Sequence, residues 1–247
     1  MDALARDALL VGAGLVAGTL GAAGGITTLV SYPALLAVGL SPLSANVTNA
    51  VSLSASLVGS SLGSRPELVG QRARVGRGAP IVVAGCLVGV AVLLETPAPL
   101  FARVVPYLLL AAAVALVAQP WLVRRRRGSH PAAVGVALFD VGVYVGYFGA
   151  GSGVMVLALL GVALDETLAR ANALKNVLLG AADVVAAGAF LLFGPVRLAP
   201  ALWLGVGLLA GSALGPSITR RAPEAPVRGV VAALGAGLAL WLLAHPG

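Results

Sequence analysis

Long apolar runs alternate with short breaks rich in polar residues, proline or glycine. That pattern divides the chain into ten apolar segments at about 4–22, 25–40, 43–63, 79–95, 99–122, 131–149, 152–164, 168–193, 198–217 and 227–245. A membrane-crossing helix needs about 20 residues, so the second and seventh segments are short for a full span. The pattern predicts an all-α polytopic membrane protein.

The two halves of the pattern match. "GLVAGTLGAAGG" (14–25) aligns with "GVYVGYFGAGSG" (142–153) at one offset, pairing Gly14, Gly18, Gly21 and Gly25 with Gly142, Gly146, Gly149 and Gly153. Shortly afterwards "ANVTNAV" (45–51) parallels "ANALKNV" (171–177). Residues 1–123 therefore read as a first membrane repeat, 124–130 as a basic cytoplasmic linker and 131–247 as a second repeat. Each holds about five hydrophobic segments, some of them broken or re-entrant.

Charge orients this arrangement. Arg65, Arg72, Arg74 and Arg77 lie in a predicted loop 64–78, four arginines in 123–130, and Arg220, Arg221 and Arg228 in 218–228. Ten segments place all three loops on one side, the cytoplasmic side by the positive-inside rule, and both termini outside. Re-entrant pairing of the short segments keeps the same parity. Each half crosses an odd number of times, so the second is inverted relative to the first, a pattern of transporters with a site between the repeats.

Composition supports the membrane reading. Hydrophobic residues make up 59% of the chain and charged residues 10%, against about 25% charged in a soluble domain. The net charge of +7 falls in loop clusters that suit anionic lipid headgroups, so the bilayer and not nucleic acid is the partner. The start "MDALARDALLVGAG" lacks a clear basic region, and no cleaved signal peptide is read from it. Cys86 is single, which leaves no disulfide framework or thiolate metal site. No metal-ligand cluster or cofactor motif appears. Ser152 in "GAGSG" invites a nucleophile reading, but His130 and His245 sit in the basic loop and at the C-terminus, so no base serves it. The chain does not read as an enzyme. The Asn46-Val-Thr48 glycosylation triplet opens a membrane segment and carries no weight. Glu95 marks a segment end.

Two features point to chemistry. Gly14/Gly18-type spacing is ordinary helix packing, but "GAAGG" and "GAGSG" each precede a short apolar segment. Glycine interruption beside a short segment, in both halves, points to a transporter binding site. A broken helix there exposes backbone N–H groups and a positive dipole end to an anion. Gly21, Gly24, Gly25, Gly149, Gly151, Ser152 and Gly153 are the candidates. The other feature is a polar face: Asn172, Lys175, Asn176 and Asp183 share one side of a helix from 168. In the first half Asn46 and Asn49 stand with Ser52, Ser56 and Ser60, and the serines read as interhelical glue.

Lys175 is the only lysine, and an ammonium inside a membrane segment is a site hypothesis by default. The alternative is that it lies near the helix start and snorkels to the interface. Asp140, with Tyr144 and Tyr147 on its face, and Asp183 are candidates for proton coupling or for a counter-ion to Lys175. The residues thus favour a carrier of a small anionic substrate. A cation or neutral-solute carrier with Asp140 as ligand, and a membrane scaffold subunit whose small residues only pack helices, are the rivals. The pattern sets no oligomeric state.

The order of glycine motif, short segment, "LSPLSAN" or "DETLARAN" turn and Asn-bearing helix, present twice across nearly the whole chain, resembles the sulfite exporter TauE/SafE family, which includes the YfcA-type membrane proteins. The resemblance implies secondary transport of small sulfur-containing anions, sulfite or organosulfonates, across the cytoplasmic (inner) membrane. Export is that family's best-known direction.

Overall fold

The computed structural model describes residues 2–124, 131–164, 166–219, 233 and 236–244. It is helical, with no strand among the described residues: α1 (Ala3–Gly24), α2 (Thr28–Ala37), α3 (Pro42–Gly63), α4 (Arg65–Leu68), α5 (Arg72–Glu95), α6 (Ala98–Arg124), α7 (Pro131–Tyr147), α8 (Ser152–Ala163), α9 (Leu168–Phe193) and α10 (Leu198–Thr219). A further helical stretch covers 236–244. Most of the linker 124–130, the arginines of 220–228, and both histidines lie outside the described residues.

Helices α1, α5, α6, α9 and α10 are long and apolar enough to cross a membrane. Helix α3 has 22 residues but is diluted by serine and asparagine, many of them buried. It can be polar because protein, not lipid, surrounds that side. One boundary differs from the sequence reading. Helix α5 starts at Arg72 and runs through Pro80, so the loop expected at 64–78 shrinks to α4 and a short turn. Arg72, Arg74 and Arg77 ride on the first turns of α5. Pro80 removes only its own bond to Gly76, and a helix pointing into water can tolerate arginines there.

Glycine contacts set the direction of each helix. Gly14 lies on the backbone of Leu204 to Leu208, Gly18 on Leu208 to Ser212, and Gly215 on Thr19 to Ala23, so α1 and α10 run parallel. Gly59 meets Leu209 to Ala213 and Gly63 meets Ala213 to Pro216, so α3 runs with them. On the other side Gly142 lies on Val82 to Cys86 and Gly146 on Cys86 to Val90, making α7 parallel to α5. Helices α3 and α9 are antiparallel: the Ser44 hydroxyl donates to Pro195 O (2.7 Å) at one end, and Gln71 Nε2 donates to Arg170 O (2.9 Å) at the other. Gly78 of α5 meets Leu178 and Cys86 Sγ donates to Ala182 O, so α5 runs with α9, and equivalent helices, α1 with α7 and α3 with α9, run in opposite senses, as an inverted repeat requires.

The halves interlock. Helix α1 packs on α10, and α7 packs on α5, so each opening helix rests on a helix of the other half. Small residues at four-residue spacing let these backbones touch. The packing reading of Gly14, Gly18, Gly142 and Gly146 thus holds.

Candidate functional site

Two helix breaks come together at the centre. Helix α1 ends where Gly25 turns left-handed (φ 79°), its N–H donating to Gly21 O at 2.7 Å. Helix α7 ends at Tyr147, and Gly149 (φ 76°) and Gly151 (φ 73°) lead into α8. The Tyr144 hydroxyl donates to Ala150 O (2.7 Å) and ties down that turn. Left-handed backbone is open to glycine at little cost, which is why these breaks fall where they do. The two turns then meet: a Cβ built on Gly25 would stand 2.5 Å from the carbonyl carbon of Gly153.

Each break is held by the opposite half. From α9, Asn172 Nδ2 donates to Ala22 O (2.6 Å), Asn176 Nδ2 to Ala22 O (3.2 Å) and Lys175 Nζ to Gly21 O (3.1 Å). From α3, Asn46 Nδ2 donates to Tyr147 O (2.9 Å). The last carbonyls of a helix lack intrahelical donors, and these amides supply them. The ammonium also sits at the negative end of the α1 dipole.

Between the breaks lies a cavity of about 70 Å³, reached by Gly21, Gly25, Asn46, Asn49, Gly149, Ser152, Gly153, Lys175, Asn176 and Asp183. That is room for roughly five waters or one small anion. Lys175 is 1% exposed, so it does not snorkel. Ser152 and Gly153 form the first turn of α8, whose N-terminus therefore faces the cavity. Asn49 Nδ2 donates weakly to Thr28 Oγ1 (3.5 Å), while its buried Oδ1 has no partner. Turned over, that amide would accept from the Thr28 hydroxyl and offer its NH₂ to the cavity.

Four sequence candidates stand elsewhere. Asp140 is exposed on α7 and does not reach the cavity, because Leu138, Gly142 and Gly146 take the face of α7 that packs inward. Gly24 has nothing near its Cβ position, and Gly151 packs on Ala112. Asn172, buried and spent on Ala22 O, borders instead a small void with Ser64, Glu67, Ala169 and Pro216. The serines divide as well. Ser52 is glue, donating to Thr48 O and Ala201 O, whereas Ser56 and Ser60 line the cavity. Asn46 and Thr48 of the glycosylation triplet are buried.

Thr27 and Thr28 also line the cavity and were not singled out from sequence. A Cβ on Gly21 would fall on the Thr27 hydroxyl, so Gly21 leaves the space that Thr27 fills. The signal was available: a threonine directly before a short helix, as Ser152 opens the matching one.

A family model described as "Sulfite exporter TauE/SafE" matches residues 8–242. Neither the curated proteins nor the solved structures compared with the chain give a match.

Proposed function

Since the chain belongs to the sulfite exporter TauE/SafE family, a family of transporters, we propose that it is a secondary carrier of small sulfur-containing anions, sulfite or an organosulfonate, working outward across the cytoplasmic membrane. The end of the bundle bearing Arg65, Arg72, Arg74 and Arg77 faces the cytoplasm in this reading, and both termini face out. The observation that carries it is Lys175: a buried ammonium on the wall of a cavity where two glycine turns from opposite halves touch.

The chemistry follows from the lining. An anion leaving water loses its hydration, and a fixed ammonium offsets that loss. The N-terminal turn of α8 and the amides of Asn49 and Asn176 add oriented donors. Opposite-sense halves supply two related arrangements, one open to each side, with the bound anion between the breaks. Asp183, on the same wall two turns from Lys175, takes the coupling proton in this scheme, and Asp140 takes none. A carboxyl that is neutral when protonated lets a proton and an anion share one cavity.

Purified protein in proteoliposomes loaded with sulfite tests the reading. Saturable efflux that an imposed proton gradient accelerates is the expected result. Absence of flux with sulfite, taurine-type sulfonates and sulfate would reject the anion carrier, and flux of a cation that depends on Asp183 would replace it with a cation carrier.

A further inference from the structure

The wall of the central cavity offers one ammonium and one carboxyl group. Among the described residues that line it, Lys175 and Asp183 are the only ionisable side chains. They stand two turns apart on α9, about 12 Å along its axis. The internal repeat could have doubled both groups, and it doubles neither. Aligning "ANVTNAV" with "ANALKNV" sets Lys175 on Asn49 and Asp183 on Leu57, and these two neutral partners line the same cavity. The helices packed on α9 add no further charge at that depth. Helices α3, α8 and α10 hold no ionisable side chain. Helix α5 brings the Cys86 thiol, bonded to Ala182 O. Helix α7 brings Tyr144, whose hydroxyl is spent on Ala150 O, with Tyr147 packed on Phe101 and Asp140 exposed. The charges of α1 and α4, and those at the ends of α5, are not on the cavity wall.

We propose that this cavity moves one monovalent oxyanion together with one proton, stays electrically neutral both loaded and empty, and rejects divalent anions by their charge. Resting on the anion-carrier reading above, this narrows the substrate to singly charged species: hydrogen sulfite or a sulfonate, and not sulfate or the sulfite dianion. Charge balance decides the valence. Empty, with Asp183 ionised, the wall sums to zero. When a monovalent anion enters and a proton binds the Asp183 carboxylate, the ammonium and the anion remain, and the sum is again zero. A divalent anion leaves one negative charge in excess even with that proton in place. An unbalanced charge at mid-membrane is costly, so the divalent complex does not change sides. The N-terminal turn of α8 and the amides of Asn49 and Asn176 hold any oxyanion through their dipoles. They orient it without selecting its charge. The proton binds Asp183 on the side where the anion enters and leaves on the side where it departs, so no net charge crosses in a full cycle.

The test uses the full chain in proteoliposomes, with methanesulfonate, perchlorate and sulfate as probes. All three are tetrahedral, and only sulfate is divalent. Labelled methanesulfonate should exchange, perchlorate should compete with it, and sulfate should compete at least about fiftyfold more weakly, as one uncompensated charge requires. Methanesulfonate uptake driven by an acid exterior should keep its rate when valinomycin and a potassium gradient impose a potential of either sign, because no net charge crosses. Asn49→Lys sets a second ammonium at the repeat position of Lys175. It should bring sulfate to within about fivefold of methanesulfonate, and the sulfate then taken up, carrying net charge, should respond to the potential. Sulfate competing as well as methanesulfonate in the wild type, or methanesulfonate uptake accelerated by a positive interior, overturns the proposal while the anion carrier stands. Perchlorate as weak as sulfate also overturns it, since the methyl group and not the charge would then select. A folded Asn49→Lys variant that still excludes sulfate does the same; if that variant does not fold, the wild-type measurements decide alone. No flux of sulfite or of any probe removes the carrier reading and this one with it.

Discussion

The backbone of Gly25 rests on the backbone of Gly153, one from each half, with no room for a side chain on either. Gly25 also needs its left-handed φ of 79°, whereas its neighbour Gly24 is helical with open space around it. The pair therefore makes a sharp contrast. Gly25→Ala combines a backbone penalty of about 1–2 kcal/mol with a clash against backbone that cannot step aside. It should abolish transport and lower the yield of folded protein. Gly24→Ala should leave both near wild type. Equal behaviour of the two variants, measured by flux and by size-exclusion profile, would remove the contact from the mechanism.

Lys175 separates binding from folding. Lys175→Gln keeps a donor for Gly21 O and removes the charge, so the helix end stays capped. Losing a charge-assisted bond of about 1.5–3 kcal/mol weakens anion binding roughly tenfold to a hundredfold. Lys175→Arg should also fail, because a planar fork does not fit a compact ammonium's place. Isothermal titration with sulfite on folded protein reads both variants. Unchanged affinity in the glutamine variant would leave Lys175 as a cap on α1 alone.

Those two residues show what the sequence discloses and what it withholds. The segments and the glycine breaks were legible because run length and left-handed glycine are local properties. Lys175 was legible because an apolar run makes any ammonium conspicuous. The position of Asp140 away from the cavity was not legible for a physical reason: it shares a helix with the second glycine motif, but which side of α7 faces inward is decided by Gly142 and Gly146 meeting α5. The choice of α5 as partner is not written in α7. The placement of Asn172 was hidden in the same way, since only the folded chain brings Ala22 O to its amide. Gly24 and Gly25 look alike in sequence, and which of them turns left-handed depends on where α1 ends.

Asp183 and Asp140 should behave differently under a proton gradient. Asp183 lines the cavity and Asp140 is exposed on α7. Asp183→Asn should abolish uphill transport driven by a proton gradient while anion exchange at equal pH persists. Asp140→Asn should couple as wild type does. Loss of coupling in the Asp140 variant, with Asp183→Asn normal, would reverse the assignment.

The last prediction concerns the end of the bundle that carries the arginines. Glu166, in the turn between α8 and α9, accepts from Arg74 Nη1 of α5 at 2.6 Å and from Arg170 Nε of α9 at 2.7 Å. It thereby ties the α5 corner of the first half to the α9 corner of the second. At the other end the corresponding ties are neutral: Ser44 to Pro195 O, and the N–H of Arg197 to Thr48 Oγ1 (3.0 Å). Hydrogen bonds from Arg74 first, and then from Arg170, hold the Glu166 carboxyl below its ordinary value of 4.5. A depressed carboxyl pKa contributes stability that is fully present above the unfolded value and is lost as pH falls through the folded one. Glu166→Gln should therefore lower the melting temperature at pH 7, and its gap from wild type should close as pH falls below about 4.5. The same variant should expose this end: a cysteine at Ser60, on the cavity wall, should react faster with a membrane-impermeant thiol reagent applied from the arginine side. A gap that stays constant from pH 7 to pH 3, together with unchanged labelling, would make the cluster a surface ion pair with no part in closing the cavity.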